Sequence, residues 1–324
     1  MRHAVAIASI FGAACAGRYP QPAPTPATGL DAAALGYAVV DGRTGRAVDE
    51  ATFWTAVGAA RAVCLGEEHP NPHHHWAQLA IVRRLIAGGG RRALGLEMVQ
   101  GSLQGIVDDL ATGAIDEPTF VSRVGWETRW GFPWPLYQPI VAAARGAGWD
   151  LRALNADAEL VKRVARAGLA GLTEVERAAL PELVLDDAGH RTWFDGVMRG
   201  LAGHGGGHGG GHGHGGAGPR PDDIYAAQVV RDEAMAAGAA TWLGGGAGAI
   251  AILAGNGHCH DGAIPGRLRR RAVAPVVSVR FVVDDGDGGV AAAVTEASVD
   301  YLWIMTPPPA PSEPAAAAES TDER

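Results

Sequence analysis

The sequence predicts an α/β protein: a large, mostly parallel sheet with flanking helices, plus a small all-helical subdomain inserted into it. Three observations carry this. Short apolar runs recur with helical patterns between them, the signature of βα units. Several of these runs stop at a glycine or carboxylate, as strands do at the carboxyl edge of a parallel sheet. Between about Asp157 and Leu243 no strand signal occurs.

The elements follow in order. Tyr37 to Val40 and Arg46 to Val48 flank Asp41-Gly42-Arg43-Thr44-Gly45, a hairpin signal. A helix from about Glu50 to Arg61 leads into the apolar strand Ala62-Val63-Cys64-Leu65. Gly66, Glu67, Glu68 and His69 come next, and Asn71 with Pro72 supplies a cap and first turn for the following helix. Further strands are read at Ala93 to Glu97, Trp149 to Asn155, Ile250 to Gly255, Val276 to Val283 and Asp300 to Met305. The sheet domain is thus residues 35–156 and 244–306, and the helical subdomain is residues 157–243. The subdomain contains a Gly/His-rich loop, 203–218, bearing His204, His208, His212 and His214. Residues 307–324 have the composition of a disordered tail.

The chain opens with Met1-Arg2-His3 and an apolar stretch from Ala4 to Ala14. That stretch is too short to span a bilayer and suits the apolar core of a signal peptide, residues 1–16. Gly12-Ala13-Ala14-Cys15 approximates a lipoprotein box with Cys15 as the lipidated residue. Ala14-Cys15-Ala16 also reads as an ordinary cleavage site. Residues 17–34, rich in proline, form a tether. The expectation is an exported protein, membrane-anchored if lipidated at Cys15 and periplasmic if not. The formal charge of −8 argues against a nucleic-acid binder, which would show a basic face. Cys64 and Cys259 do not make a disulfide framework and read as two buried free thiols, unless neighbouring strand ends bring them within bonding distance.

Chemistry concentrates at the strand ends: Glu67 to His69, Glu97, Asn155 and Asn256 to His258. Glu67, His69, Glu97 and His258 could bind a divalent metal or work as general acids and bases; the alternative is a buried hydrogen-bond network. His73, His74 and His75 sit in a helix first turn, where the macrodipole disfavours positive charge. They are expected neutral, one facing the pocket and the others solvent. The four loop imidazoles could capture transition metals loosely, or form a tolerated repeat. Gly125 to Ile140 holds three of the nine tryptophans and Tyr137. It reads as a core cluster, or as a wall for a flat cofactor with Tyr137 as a tyrosinate ligand. Gln228, Arg231, Asp232 and Met235 share one helical face, forming an internal polar network or a rim salt bridge.

LGEEHPNPHHHWAQL, GLEM, the Trp-rich stretch ending LYQPI, LNADAELVKRVARAGL, YAAQVVRDEAMA, LAGNGHCHDGAIPGRL and DYLWIMTP occur here in one order. In that order they resemble the ChaN-type haem-binding uptake lipoproteins of the Tiki/TraB-like superfamily, over about Tyr37 to Pro307. The resemblance implies a haem carrier, not an enzyme, that binds b-type haem non-covalently at a homodimer interface. There a tyrosine of one subunit ligates each iron, and a histidine and lysine of the other hold the propionates. It makes Tyr137 and then Tyr225 candidate axial ligands, and Lys162, with Arg163 or Arg166, propionate partners. His258 and His69 are the motif histidines available for a propionate or metal. An outer-membrane haem receptor is an implied partner. The alternative is a metal-dependent hydrolase using Glu67, His69, Glu97 and His258, as in hydrolytic members of the wider superfamily.

Overall fold

The computed structural model describes residues 36–204, 219–286, 288–296 and 298–306. The expected signal segment with Cys15, the tether, His208, His212, His214 and the tail from residue 307 lie outside the described residues. Eight strands build one sheet: β1 (Gly36–Asp41), β2 (Ala47–Val48), β3 (Ala62–Glu67), β4 (Arg92–Gln100), β5 (Asp150–Asn155), β6 (Ala249–Gly255), β7 (Val276–Val283) and β8 (Tyr301–Thr306). Their order is β2-β1-β8-β7-β3-β6-β4-β5. Every pairing from β8 to β5 is parallel, while β1 lies antiparallel to β8 and β2 antiparallel to β1.

The helices are α1 (Glu50–Ala59), α2 (Pro72–Ala87), α3 (Gln104–Thr112), α4 (Glu117–Val124), α5 (Trp126–Arg129), α6 (Trp134–Gly146), α7 (Ala158–Ala167), α8 (Glu174–Ala178), α9 (Ala188–His204), α10 (Pro221–Gly244), α11 (Ile264–Arg270) and α12 (Gly289–Glu296). They cover both faces of the sheet. Alternation along the strands sets the two cores. Val63, Leu65, Leu94, Leu96 and Leu253 face α2 and α6, joining Trp76, Ile81, Tyr137 and Ile140. Ala62, Cys64, Ala93, Ile250 and Ile252 face the other way, onto Met235, Ala239 and Leu243 of α10 and Ile264 and Leu268 of α11. Among the described residues no helix is long and apolar enough to cross a membrane.

Between β5 and β6 the described chain is helical. The first half of α10 packs Ala226, Ala227 and Val230 against Val164 and Leu172, and its second half covers the sheet. One long helix therefore fixes the helical segment to the sheet edge. It also carries Gln228, Arg231 and Asp232 into the interior between them.

The reading of Cys64 and Cys259 as free thiols is corrected. They form a disulfide across a separation of 195 residues. The physical reason is the sheet order: β3 and β6 are neighbours paired from Ala62↔Ile250 to Glu67↔Gly255, so the turn after β6 folds back onto β3. Nothing in the local sequence around either cysteine encodes that adjacency.

Candidate functional site

The site grows from the carboxyl ends of β3, β6 and β4. Glu67 closes β3, and its side chain is buried. Its Oε1 accepts the Tyr137 hydroxyl at 2.7 Å and lies 2.7 Å from His69 Nδ1. Its Oε2 accepts Gln78 Nε2 at 2.7 Å and sits 3.3 Å from His75 Nδ1. Burial alone, the largest influence, would raise this carboxyl. His75, His69 and the Tyr137 hydroxyl together hold it below its usual range. The same contact acts oppositely on Tyr137: burial and the Glu67 charge push its phenol well above 10.

The α2 entrance is built around that carboxylate. Asn71 caps the helix by accepting His73 N–H at 3.0 Å, and Pro72 takes the first turn. His74 and His75 are buried while His73 is half-exposed, which corrects the expectation that most of this triplet faces solvent. His74 Nδ1 accepts the Glu68 backbone N–H at 2.9 Å, and burial drives its imidazole well below 6.5. His75 Nε2 reaches the His69 carbonyl at 2.8 Å. The two rings pin the 67–71 turn from inside the helix.

Glu97, near the end of β4, organises the second cluster. Its Oε2 accepts Gly255 N–H at 2.6 Å, and its Oε1 accepts Arg231 Nη2 at 2.6 Å with His258 Nε2 at 3.3 Å. His258 Nδ1 lies 2.6 Å from Asp232 Oδ1, so the ring is clasped between two carboxylates. Burial would lower the His258 value, but Glu97 and Asp232 more than offset it and the imidazole is raised above 6.5. His258 and Arg231 in turn help hold Glu97 well below the carboxylate range against its burial. Gly255 is required between the clusters: a β carbon there would lie 2.9 Å from His69 Cε1. Gly66 is required likewise, since a β carbon would meet Asn256 Oδ1 at 2.7 Å.

Asp232 extends the network into the helical segment. Its Oδ2 lies 3.6 Å from His190 Nε2, and His190 Nδ1 lies 3.2 Å from both the Tyr225 hydroxyl and Arg267 Nη2. Burial pushes His190 down to about 4 and His260 down to about 3. Trp193 lies against His260 with ring centroids 3.9 Å apart. On the opposite side, Trp130 and Phe132 contact the His69 ring at 4.5 and 4.7 Å, forming an aromatic lip.

This geometry holds ionised carboxylates against a neutral phenol and imidazoles in a low-dielectric seam. Among the described residues no group of three or more His, Cys, Asp or Glu side chains is placed to hold a metal ion. Glu67 with His69 and Glu97 with His258 form two hydrogen-bonded clusters instead of converging on one point.

The family model for "haem-binding uptake, Tiki superfamily, ChaN" matches residues 53–268, two thirds of the chain, from α1 through α11. The chain belongs to this family. A solved structure describing cofacial haem binding to ChaN of Campylobacter jejuni has the same fold, with a TM-score of 0.60 and 16% identity. The match covers 83% of this chain and 96% of that one. No curated protein matches the chain in sequence.

Against the family expectation, the chain's candidate residues fall into separate places. At the strand ends Glu67, His69 and Tyr137 form one cluster and Glu97 and His258 a second beside it. Tyr225 is buried on α10 beside His190, apart from Tyr137. Lys162 and Arg163 stand on α7, ion-paired with Glu159 and Glu176. His204 closes α9. Gln228, Arg231 and Asp232 form the internal network rather than a rim salt bridge, with Gln228 Nε2 donating to the Gly257 carbonyl at 3.1 Å. The sequence reading gave no site role to Gln78, His190 or His260. The shared face of α10 signalled Asp232, and His260 stands two residues after His258 in the same motif; for His190, distant in sequence, no local signal existed.

Proposed function

We propose that this chain is an exported haem-binding protein that assists haem uptake. Its membership of the haem-binding uptake family over residues 53–268 carries the reading. The cofacial haem binding of the Campylobacter jejuni protein makes a haem-linked homodimer, with b-type haem held non-covalently, the arrangement to test. The half-buried Phe132 and Trp134 rings and the Trp130 edge supply an apolar wall beside His69.

The two candidate phenols, Tyr137 and Tyr225, do not fit an iron ligand as they stand. Tyr137 is wholly buried and gives its hydrogen to Glu67, and Tyr225 is buried against His190. Both are pushed above 10, chiefly by burial. Ligation by Tyr137 would need its hydrogen bond to Glu67 broken and the Trp126 and Trp130 rings against it displaced. The one half-exposed imidazole of the α2 triplet, His73, is the accessible alternative, kept low by burial and so in the neutral form that iron binds.

Export rests on the basic and apolar start and on the Cys64–Cys259 bond, since disulfides persist in oxidising compartments. Lipidation of Cys15 and transfer from an outer-membrane receptor belong to the same proposal. Labelling with a radioactive fatty acid, lost in Cys15→Ala, tests the anchor.

The deciding experiment is a haem titration of the full chain with size exclusion in parallel. Saturation near one haem per chain with a shift to dimer supports the proposal. A ferric tyrosinate spectrum abolished by Tyr137→Phe assigns the ligand to Tyr137, whereas a spectrum that survives Tyr137→Phe and is lost in His73→Ala assigns it to the imidazole. No saturable binding sinks the haem reading.

A second reading, acid–base hydrolysis, is favoured by one observation: His258 clasped between Glu97 and Asp232 at the strand ends. It requires an ester or peptide substrate whose cleavage disappears in Glu97→Gln.

A further inference from the structure

The turn that carries His258 is attached to the sheet by an unusual combination of contacts. Its backbone meets β3 through Asn256 N–H donating to the Glu67 carbonyl at 2.9 Å. Within the turn His258 N–H donates to Gly255 O at 2.8 Å and Ile264 N–H to His258 O at 3.0 Å, and its far end is tied by Asp261 N–H donating to the Ser298 carbonyl at 2.7 Å. The Asn256 side-chain oxygen is buried without a hydrogen-bond partner, so the closed turn leaves one acceptor unsatisfied. The Cys64–Cys259 bond joins this turn covalently to the middle of β3, three residues before Glu67 and one after His258. Gly66, between the two anchor points, gives the turn room to lie flat on the strand.

We propose that the Cys64–Cys259 disulfide is a redox latch on the 256–262 turn. Oxidised, it fixes His258 between Glu97 and Asp232. Reduced, it frees the turn, and the strand-edge site loses its imidazole while the sheet persists. The inference concerns the geometry of the site and holds whichever ligand the site takes.

The reductant is a dithiol. One of its thiolates attacks a cysteine sulfur, the S–S bond breaks, and the other cysteine leaves as a thiolate that takes up a proton. The second thiol of the reductant then displaces the remaining cysteine from the mixed disulfide. Two electrons and two protons pass to Cys64 and Cys259, and the reductant closes its own disulfide. Cys64 and Cys259 are 0% and 1% exposed, so attack follows local opening of the turn and not collision with the closed surface.

The test uses the full oxidised chain under native conditions, with and without dithiothreitol. Three quantities are read: free thiols counted without denaturant, amide hydrogen exchange, and the downfield His258 Nδ1–H proton resonance expected from its 2.6 Å contact with Asp232. That resonance is assigned by its loss in His258→Gln. On reduction, Cys64 and Cys259 should become reactive, exchange over 256–262 should rise at least tenfold, and the downfield proton should disappear. Amides of β4 should stay within twofold. The Cys64→Ser/Cys259→Ser double variant should show the reduced pattern without reductant; if it does not fold, the reduced native protein carries the test.

Three outcomes overturn the proposal. The first is a disulfide that resists dithiothreitol in the native protein. The second is the appearance of the thiols with the downfield proton and the turn's exchange unchanged. The third is exchange of β4 as fast as the turn, which would make the bond a brace for the whole fold.

Discussion

Replacing Asp232 by Asn gives the sharpest test of the buried seam. The side chain keeps its shape and an acceptor for His258 Nδ1–H, so the change removes charge and little volume. Asp232 is 0% exposed and lies 2.6 Å from His258 Nδ1. Removing one partner of a buried ion pair costs about 3–5 kcal/mol, because the buried imidazolium loses one of the two carboxylates that compensate it. At about 2–4 °C per kcal/mol for a domain of this size, the expected drop in Tm is roughly 6–20 °C. The sign with pH follows from both partners. Asp232 is held below 3.8, with His258 and Arg267 outweighing its burial, so its contribution is present above that value and is lost as pH falls through the depressed one. His258 is raised above 6.5, so its contribution is full below 6.5 and is lost as pH rises through the raised value. The gap between wild type and Asp232→Asn should therefore be widest between about pH 4 and 6.5 and narrow on the alkaline side. Thermal melts by circular dichroism from pH 4 to 9 measure it. A gap under about 1 kcal/mol, or one that is flat with pH, would refute the assignment of His258 as a cation held by two carboxylates.

Other outcomes follow from the same geometry. Tyr137→Phe removes a buried hydroxyl donating to the Glu67 carboxylate and should cost about 1.5–3 kcal/mol in chemical denaturation. Gly255→Ala places a methyl 2.9 Å from the His69 ring and should destabilise by about 1–3 kcal/mol, with the His69 resonances shifting most in NMR spectra. His190, lowered to about 4 chiefly by burial, must take up a proton on acid unfolding. Its burial in neutral form is therefore stabilising above 6.5 and is lost as pH falls. By pH 4 the loss should reach about 3 kcal/mol, and His190→Gln should flatten it in acid titrations.

The strand ends, the cap of α2 and the parallel sense of the sheet were legible because each is written in local pattern: apolar runs alternating with helical ones, Asn71 before Pro72, and carboxylates where strands stop. Belonging to the family was legible from motifs in order. The roles inside the seam were not. Tyr137 reads the same in sequence whether it is an open phenolate or a donor buried against Glu67; only packing by Trp126, Trp130 and α2 decides, since burial and a neighbouring carboxylate keep the phenol neutral. Lys162 carries a motif expectation, yet α7 directs it to Glu159.

By itself, the sequence determined the sheet, its helices and the set of polar residues at its carboxyl edge, because periodicity and capping act within a few residues of each position. Tertiary structure alone decided the pairings among them. Placing β6 beside β3 joined Cys64 to Cys259 and Glu67 to Gly255, and threading α10 across the sheet edge set Asp232 against His258. Those contacts span separations of 26 to 195 residues. They depend on strand order and helix direction, which local sequence does not encode.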